Sequence, residues 1–540
     1  MTTVDTAEVE VLVVGAGPVG LVLACALADS DVRVRIIDKH EHWSPLSKAM
    51  TLTPRTLECF HMLGLADTCL RQGIMSQRIN HHTQRGSVIG VADLGKLEGD
   101  YLGLLQLSQS DTTGILDRAA AERGITVERG RALTNIDVEG DGHRCHLLDT
   151  DGRTSTVAAR FVVGADGGRS RVREIVGAEF DGAEQDETFI MADIEMSGFP
   201  HHAHERHQFW LDEGTFLAVL PIDGRMFRLV STCRVASAEV DEEFVLNRFR
   251  QVLSAVGLDT VALGDPYWIS RFNPRQFIAD NFRTQGIFLA GDAAHVQSPI
   301  GAQGLNTGIQ DSVNLAWKLA LVLRAKAGDA LLDSYHGERF PVAQALFDYN
   351  NTLSERVFGR DQSQRERLRG ENERLREPAY HASEIAKLSQ FAVAYPAPAA
   401  PITRSGVTPG RRMPACTLTT ASGKFDLLRE LGARRHVLLA FAGPYDTIES
   451  LLGQTLEKYQ ERLGNNAFRA HIVHERVSPA QRYDTPSGLL DIAGRYRDSL
   501  GLRFGDVVVI RPDGHIGALA DTTSLSTLDD YLDHLFATAN

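Results

Sequence analysis

Two hydrophobic periods alternate along the first part of the chain. Val11 to Val14 is a short β-branched apolar run, Leu21 to Ala28 is a small-residue apolar stretch of helical type, and Val32 to Asp38 alternates Val with Arg before closing on an acid. Strand, glycine turn, helix and strand in that order predict a βαβ unit on a parallel sheet. Pro54 to Leu63 predicts a helix, with proline in its first turn and Gly64 at its end. A further helix is predicted from Asp111 to Arg123, closed by Gly124, and a strand from Phe161 to Val163 running into Gly164.

The period changes between about Glu187 and Cys233. Phe209 to Leu211, Phe216 to Leu220 and Met226 to Val230 alternate, with Gly and Asp between them, and predict an antiparallel sheet inserted into the α/β unit. The first pattern returns at Gly286 to Asp292, and a long helix is predicted from Gly304 to Ala325. The charge run Arg360 to Glu377 mixes both signs and predicts a solvated helix. Ala394 to Pro414 carries Pro396, Pro398, Pro401, Pro409 and Pro414 and predicts an extended linker. After it, strands at His436 to Ala442, Phe468 to His474 and Val507 to Arg511, with helices at Thr447 to Leu463 and Leu525 to Phe536, predict a small third α/β unit. The expected organisation is a dinucleotide-binding domain over 1–180 and 276–393, a β-sheet domain over 181–275, a linker over 394–414 and a C-terminal domain over 415–540.

A chain of 540 residues exceeds what one core organises, in keeping with that division. Its formal net charge of −14 argues against a nucleic-acid or anionic-membrane partner. No apolar run reaches the ~18 residues that span a bilayer. Met1 to Glu10 carries three acids and no base, unlike the start of a secretory signal. The six cysteines are scattered with no Cys-x-x-Cys pair, so a reducing, cytoplasmic setting is expected.

Candidate chemistry begins at Gly15-Ala16-Gly17-Pro18-Val19-Gly20. Gly15 permits the tight turn, Gly17 lets backbone approach a pyrophosphate, and Gly20 lets helix pack on strand. The helix N-terminus then offers free N–H groups to the phosphates. Asp38 closes the second strand, where a carboxylate can accept both ribose hydroxyls of an adenosine. Two more motifs follow: Gly164-Ala165-Asp166-Gly167 before Ser170, and Gly291-Asp292-Ala293-Ala294-His295 leading to Pro299, Gly301, Gly304, Asn306, Gly308 and Asp311. His201, His202, His204 and His207 invite a metal reading. They lack cysteine partners and a clean carboxylate third ligand, so a solvated hairpin loop is expected instead and no metal site.

On these three motifs, over roughly residues 8 to 350, the sequence resembles the single-component FAD-dependent aromatic hydroxylases. The resemblance implies a Rossmann-like FAD-binding domain carrying an inserted substrate domain. It implies that Gly15, Gly17, Pro18, Gly20 and Asp38 hold the adenosine half of FAD, with Lys48 in place of the family's usual arginine. It places Gln109 near the flavin chain, Asp166 between FAD and the nicotinamide, and Gly291 and Asp292 at the ribityl or diphosphate portion. Gly304, Leu305 and Asn306 would offer backbone and amide donors to the flavin pyrimidine. Pro299 and Gly301 would shield the hydroperoxide that reduced flavin forms with dioxygen. Phe209, Trp210, Phe216 and Phe227 of the inserted sheet are expected to supply an apolar substrate wall, alternation sending some of them to the opposite face. The C-terminal part resembles the thioredoxin-like domain of phenol hydroxylase and of polyketide hydroxylases, most clearly at Val507 to Gly514. With only Cys416 beyond the linker, it is expected to be redox-inert and to serve packing or a homodimer.

The implied activity is hydroxylation of a small phenolic or polyketide-type aromatic, with NADPH or NADH and O2 as co-substrates. Baeyer–Villiger oxygen insertion fits the same scaffold. A flavin-binding protein without oxygenation is the reading from another class, and the intact Pro299 to Asn306 loop argues against it.

Overall fold

The computed structural model describes residues 8–45, 49–83, 86–184, 188–202, 204–211, 215–233, 241–298, 301–358 (backbone only beyond 352), 363, 367, 370–371, 373–397, 402–420, 423–432, 435–443, 457, 461, 467–475 and 488–536. At its centre is an eight-stranded sheet. The first strand, Glu8–Val14, lies between Val34–Asp38 and Thr154–Gly164 and runs parallel to both. Val127–Arg129 extends the sheet in parallel on one side and Ile287–Leu289 on the other. Val11, Leu12 and Val13 are fully buried, which is why this strand reads as a continuous apolar run rather than an alternating one. Helix Pro18–Ala28 packs on the first two strands and against helices Gln109–Glu122 and Gly304–Leu323.

A seven-stranded sheet stands beside this unit, in the order Ala262–Phe272, Thr188–Ser197, Met226–Cys233, Phe216–Pro221, Arg206–Trp210, Arg78–His82, Val88–Asp93. The inserted segment thus recruits two strands from much earlier in the chain. Their period is hidden because Arg78-Ile79-Asn80-His81-His82 puts polar residues on both faces. One face of the sheet is covered by helix Glu242–Ala255, whose Val245 and Phe249 pack with Ile190, Phe209, Leu217, Phe227 and Leu229.

The C-terminal sheet centres on His436–Ala442, parallel to Phe468–His474 and antiparallel to Val507–Ile510. Gly488–Leu490 adds in parallel at one side and Ile516–Ala520 antiparallel at the other. The helix expected over Thr447 to Leu463 falls outside the described residues except for isolated positions, as does half of the Arg360 to Glu377 run.

The segment expected as an extended linker is packed instead. Tyr395, Val407 and Met413 are buried, the Tyr395 N–H donates to the Gly410 carbonyl, and the Gly410 N–H donates to Ile516. Apolar residues between the prolines fill a seam where the C-terminal sheet meets the rest of the chain. Charge is buried there too. Arg412 grips the Glu58 carboxylate, which Arg55 also binds, and Arg55 donates on to the Asp513 carbonyl. Arg511 reaches Glu338 and Asp513, while Lys318 donates to Glu338. Among the described residues, no helix is long and apolar enough to cross a membrane.

Candidate active site

Three turns from distant parts of the chain meet at the carboxyl ends of the central strands, the position where open parallel sheets bind ligands. Gly15 has φ +106°, and a Cβ there would lie 2.3 Å from the Ala165 carbonyl oxygen, so the first turn presses directly on the second. A Cβ at Gly20 would lie 1.9 Å from the Gly15 oxygen, which fixes the helix against its own turn. At Gly17 it would meet nothing within 4 Å. The space before the Pro18–Ala28 helix therefore stays open to a ligand, and the helix's first N–H groups face it. One Asp38 oxygen accepts the Ala16 N–H at 2.7 Å and the other the His40 N–H at 2.8 Å. Those bonds aim the carboxylate and leave lone pairs for hydroxyl donors. Gln109 opens its helix, half-buried, with its N–H on the Ala49 carbonyl. Lys48 lies outside the described residues.

In the second turn Asp166 accepts from the Ser170 hydroxyl and from the Arg171 N–H at 2.7 Å. Burial pushes its carboxyl pKa up, against those donors. Asp166 thereby caps helix Arg171–Val176 and braces the turn. Arg173, one turn further on, donates to the Gly168 carbonyl at 2.9 Å and to the Ala293 carbonyl at 3.0 Å. It straps the second turn to the third.

The third turn, Gly291–Ala293, is held from below. The Gly291 N–H donates to Asp311, whose carboxylate also takes His295 Nε2 at 2.8 Å and Arg339 Nε at 2.6 Å. Burial works against the ionised form, but Arg339 and His295 hold the Asp311 carboxyl down at about 2. Asp292 is different. It is exposed between buried Gly291 and Ala293 and has no hydrogen-bond partner among the described residues. Its carboxylate remains available to a ligand.

Asn306 corrects an expectation. It is fully buried, and its amide is spent on the protein: Nδ2 donates to the Thr51 and Ala302 carbonyls, and Oδ1 accepts the Thr53 N–H, each at 2.9 Å. The donors left at this end are the backbone N–H groups of Gly304, Leu305 and Asn306, which as first-turn groups have no intrahelical partner. Gly301 is half-buried in the turn before the helix, and Pro299 lies outside the described residues.

Residues 8–350 match the family described as FAD binding domain. The chain is 33% identical to 6-methylpretetramide 4-monooxygenase of Streptomyces rimosus over 539 residues, covering 96% of this chain and 92% of that protein. It is 30% identical to pentachlorophenol 4-monooxygenase of Sphingobium chlorophenolicum, over 79% of each. The structure of an anhydrotetracycline hydroxylase from Streptomyces rimosus superposes with a TM-score of 0.77 at 26% identity, covering 99% of this chain and all of that one. The chain belongs to the FAD-dependent monooxygenases. Its turns fit that cofactor: the open face of Gly17, the aimed Asp38 and the unspent Asp292 suit phosphate, ribose and polyol in turn.

In this monooxygenase the inserted sheet has one face under helix Glu242–Ala255 and one face away from it. Adjacent strand residues point to opposite faces, and this divides the expected aromatic wall. Phe209 and Phe227 are sealed in the core under the helix and are withdrawn from it. Trp210 and Phe216 lie on the other face, ring centroids 4.8 Å apart, beside Phe189 and Phe272. The histidine run divides likewise. His202 and His204 are exposed, but His207 is buried in a strand, with Nδ1 3.1 Å from His82 Nε2, and burial lowers its pKa to about 3. Among the described residues no group of His, Cys, Asp or Glu is arranged to hold a metal ion.

His295, Arg339 and Arg173 were not singled out as site residues by sequence. His295 and Asp311 did stand within the third motif, at the spacing that lets them meet. Arg339 and Arg173 gave no local signal.

Proposed function

We propose that this monooxygenase uses NAD(P)H and dioxygen to hydroxylate a phenolic or polyketide-type aromatic compound. The observation that carries the reading is the convergence of the three turns, Gly15 against Ala165 and Arg173 between Gly168 and Ala293, around an unspent Asp292. In support, the relatives named above are called monooxygenases of 6-methylpretetramide and of a chlorinated phenol. Gly15, Gly17, Gly20 and Asp38 would hold the adenosine and pyrophosphate of FAD, Gln109 and Asp292 its polyol, and the first N–H groups of helix Gly304–Leu323 its ring edge. When bound, FAD supplies the redox chemistry, taking electrons from NADH or NADPH and passing one oxygen atom of dioxygen to the substrate. Around it the protein orients the substrate and excludes water. Trp210 and Phe216 supply the apolar wall, and the turn at Gly301 brings backbone close without a Cβ.

The test is a panel of phenols and quinones given to the FAD-loaded protein, following NAD(P)H oxidation and product mass under isotopically labelled dioxygen. A hydroxylated product carrying one labelled oxygen is expected. A colourless protein that takes up no FAD, or a lactone or ester as sole product, overturns the reading.

A further inference from the structure

The buried arginines of this chain have acceptors, with one exception among the described residues. Arg55 is paired with Glu58, Arg228 with Asp193, Arg339 with Asp311 and Arg511 with Glu338 and Asp513, while Arg173 donates to carbonyls. Arg206 is only 7% exposed, yet its guanidinium makes no hydrogen bond or ion pair, and its Nε is wholly buried. Burial alone lowers its pKa, to about 10, so it remains a cation at neutral pH. Of the described acids, Glu205 beside it in the chain is taken by Asn80 and Arg78, and Asp193 further along the sheet by Arg228. An unpaired buried charge is costly to keep.

Strand register shows where that cation stands. Arg206 lies beside Ile79, Gln208 beside His81, and Trp210 beside Phe216. All share the face away from the covering helix. At its edge Ile79 packs with Leu104 and Ile385. Leu104 belongs to the strand that pairs with Thr51–Leu52, to which Asn306 is bound, and Gln303 donates to the Lys387 carbonyl. The edge of this face at Ile79 is thus linked, through strand Leu104–Gln106 and helix Pro378–Leu388, to the start of helix Gly304–Leu323. Two more buried polar atoms on it have no partner, His81 Nδ1 and Trp210 Nε1, and the two rings stack 6.5 Å apart at 16°. Burial lowers His81 to about 4, so it is neutral and leaves Arg206 as the charge on this patch.

We infer that Arg206 is the subsite for an anionic oxygen of the substrate, and that the substrate is a planar aromatic bearing an ionised phenol or enol, with His81 and Trp210 meeting further polar atoms along its edge. This rests on the reading of that sheet face as the wall of the aromatic-substrate site. A guanidinium in a dry pocket stabilises the anion of a bound phenol, so the bound phenol ionises at lower pH than the free one.

The probe is alizarin, a phenolic anthraquinone that changes colour on ionisation, with its dimethyl ether as the form that cannot ionise. Both are titrated against the FAD-loaded protein. Wild type is expected to bind alizarin as the anion, with its ionisation lowered by at least about one pH unit, and at least about tenfold tighter than the ether. Arg206→Met should abolish the shift and level the two affinities, and Arg206→Lys should restore part of both. Flavin content and circular dichroism report whether each variant is folded. Failure to bind alizarin, binding as the neutral phenol, or an undiminished shift in Arg206→Met overturns the inference. So does an anthraquinone carboxylate that binds far more tightly with the same Arg206 dependence, which would assign the subsite to carboxylates. Because the readout is equilibrium binding, it stands or falls separately from whether any aromatic is hydroxylated.

Discussion

Buried charge is handled in opposite ways at the two sides of this enzyme. At the seam with the C-terminal sheet, Arg55, Arg412, Lys318 and Arg511 face Glu58, Glu338 and Asp513, and Asn314 and Trp317 donate to the same Asp513 oxygen that Arg511 Nη2 binds. On the sheet face and turns that the proposed function assigns to the ligand cleft, Arg206 and Asp292 have no partner among the described residues. Groups of the same chemistry thus serve two ends. Where every charge is spent, the arrangement can only hold the fold together. Where charge and donors are left over, a ligand can complete them.

The largest expected effect tests that contrast. Arg511→Met leaves the Glu338 and Asp513 carboxylates buried without their main counter-charge, and breaking such a pair costs about 3–5 kcal/mol. The variant is expected to unfold at much lower denaturant than wild type. Arg206→Met removes a charge that had no partner, so its unfolding midpoint should match or exceed that of wild type. Equal losses in the two variants would erase the distinction between seam and cleft.

Next in size is Asp38→Ala. The carboxylate is aimed by the Ala16 and His40 N–H groups. Each charge-assisted hydrogen bond it lends to a ribose hydroxyl is worth about 1.5–3 kcal/mol. Titration of the FAD-free protein with FAD should show affinity reduced by roughly tenfold or more. Wild-type affinity would place the ribose elsewhere.

What could be read beforehand follows from the reach of each signal. Gly15, Gly17, Gly20 and Asp38 lie within one βαβ unit, so a local pattern singles them out, and the structure brings them together at one turn. The strands of the inserted sheet were likewise legible from Phe209 to Cys233. Strands Arg78–His82 and Val88–Asp93 were not, because polar residues on both faces of the first leave no period to read. The prolines of 394–414 signalled a break, but not that Tyr395 and Met413 would be buried by a sheet built from residues far downstream. Asn306 is expected to serve the ligand, but its amide is consumed by Ala302 one turn away and by Thr51 and Thr53, some 250 residues away in the chain. Arg206 was invisible for a complementary reason: no sequence pattern records that a partner is missing.

A smaller effect is expected from Gly301→Val, which adds bulk in the turn before helix Gly304–Leu323 without touching the glycine turn or Asp38. FAD binding should persist, while NAD(P)H consumption yields less product and more hydrogen peroxide, because loosened geometry near the ring admits water. The measurement is the ratio of product formed to NAD(P)H consumed, beside a peroxide assay. A fully coupled variant would reduce this turn to a helix entry and confine the cleft's chemistry to the sheet face.

The smallest effect belongs to Cys416→Ser, back at the seam. Cys416 lines a cavity of about 200 Å³ with Arg55, His61, Met413 and Phe425. Burial pushes its thiol pKa up to about 12, so almost no thiolate exists at neutral pH, and the thiolate is the reactive form. It is the one cysteine after residue 394, and the other five are buried elsewhere in the chain. A hydroxyl is close to a thiol in size and can use the same polar surroundings. The exchange should therefore leave turnover unchanged in protein that folds and takes up FAD. A large loss of rate in a folded, FAD-loaded variant would mean that the seam takes part in turnover, and that spent charges there conceal a working thiol.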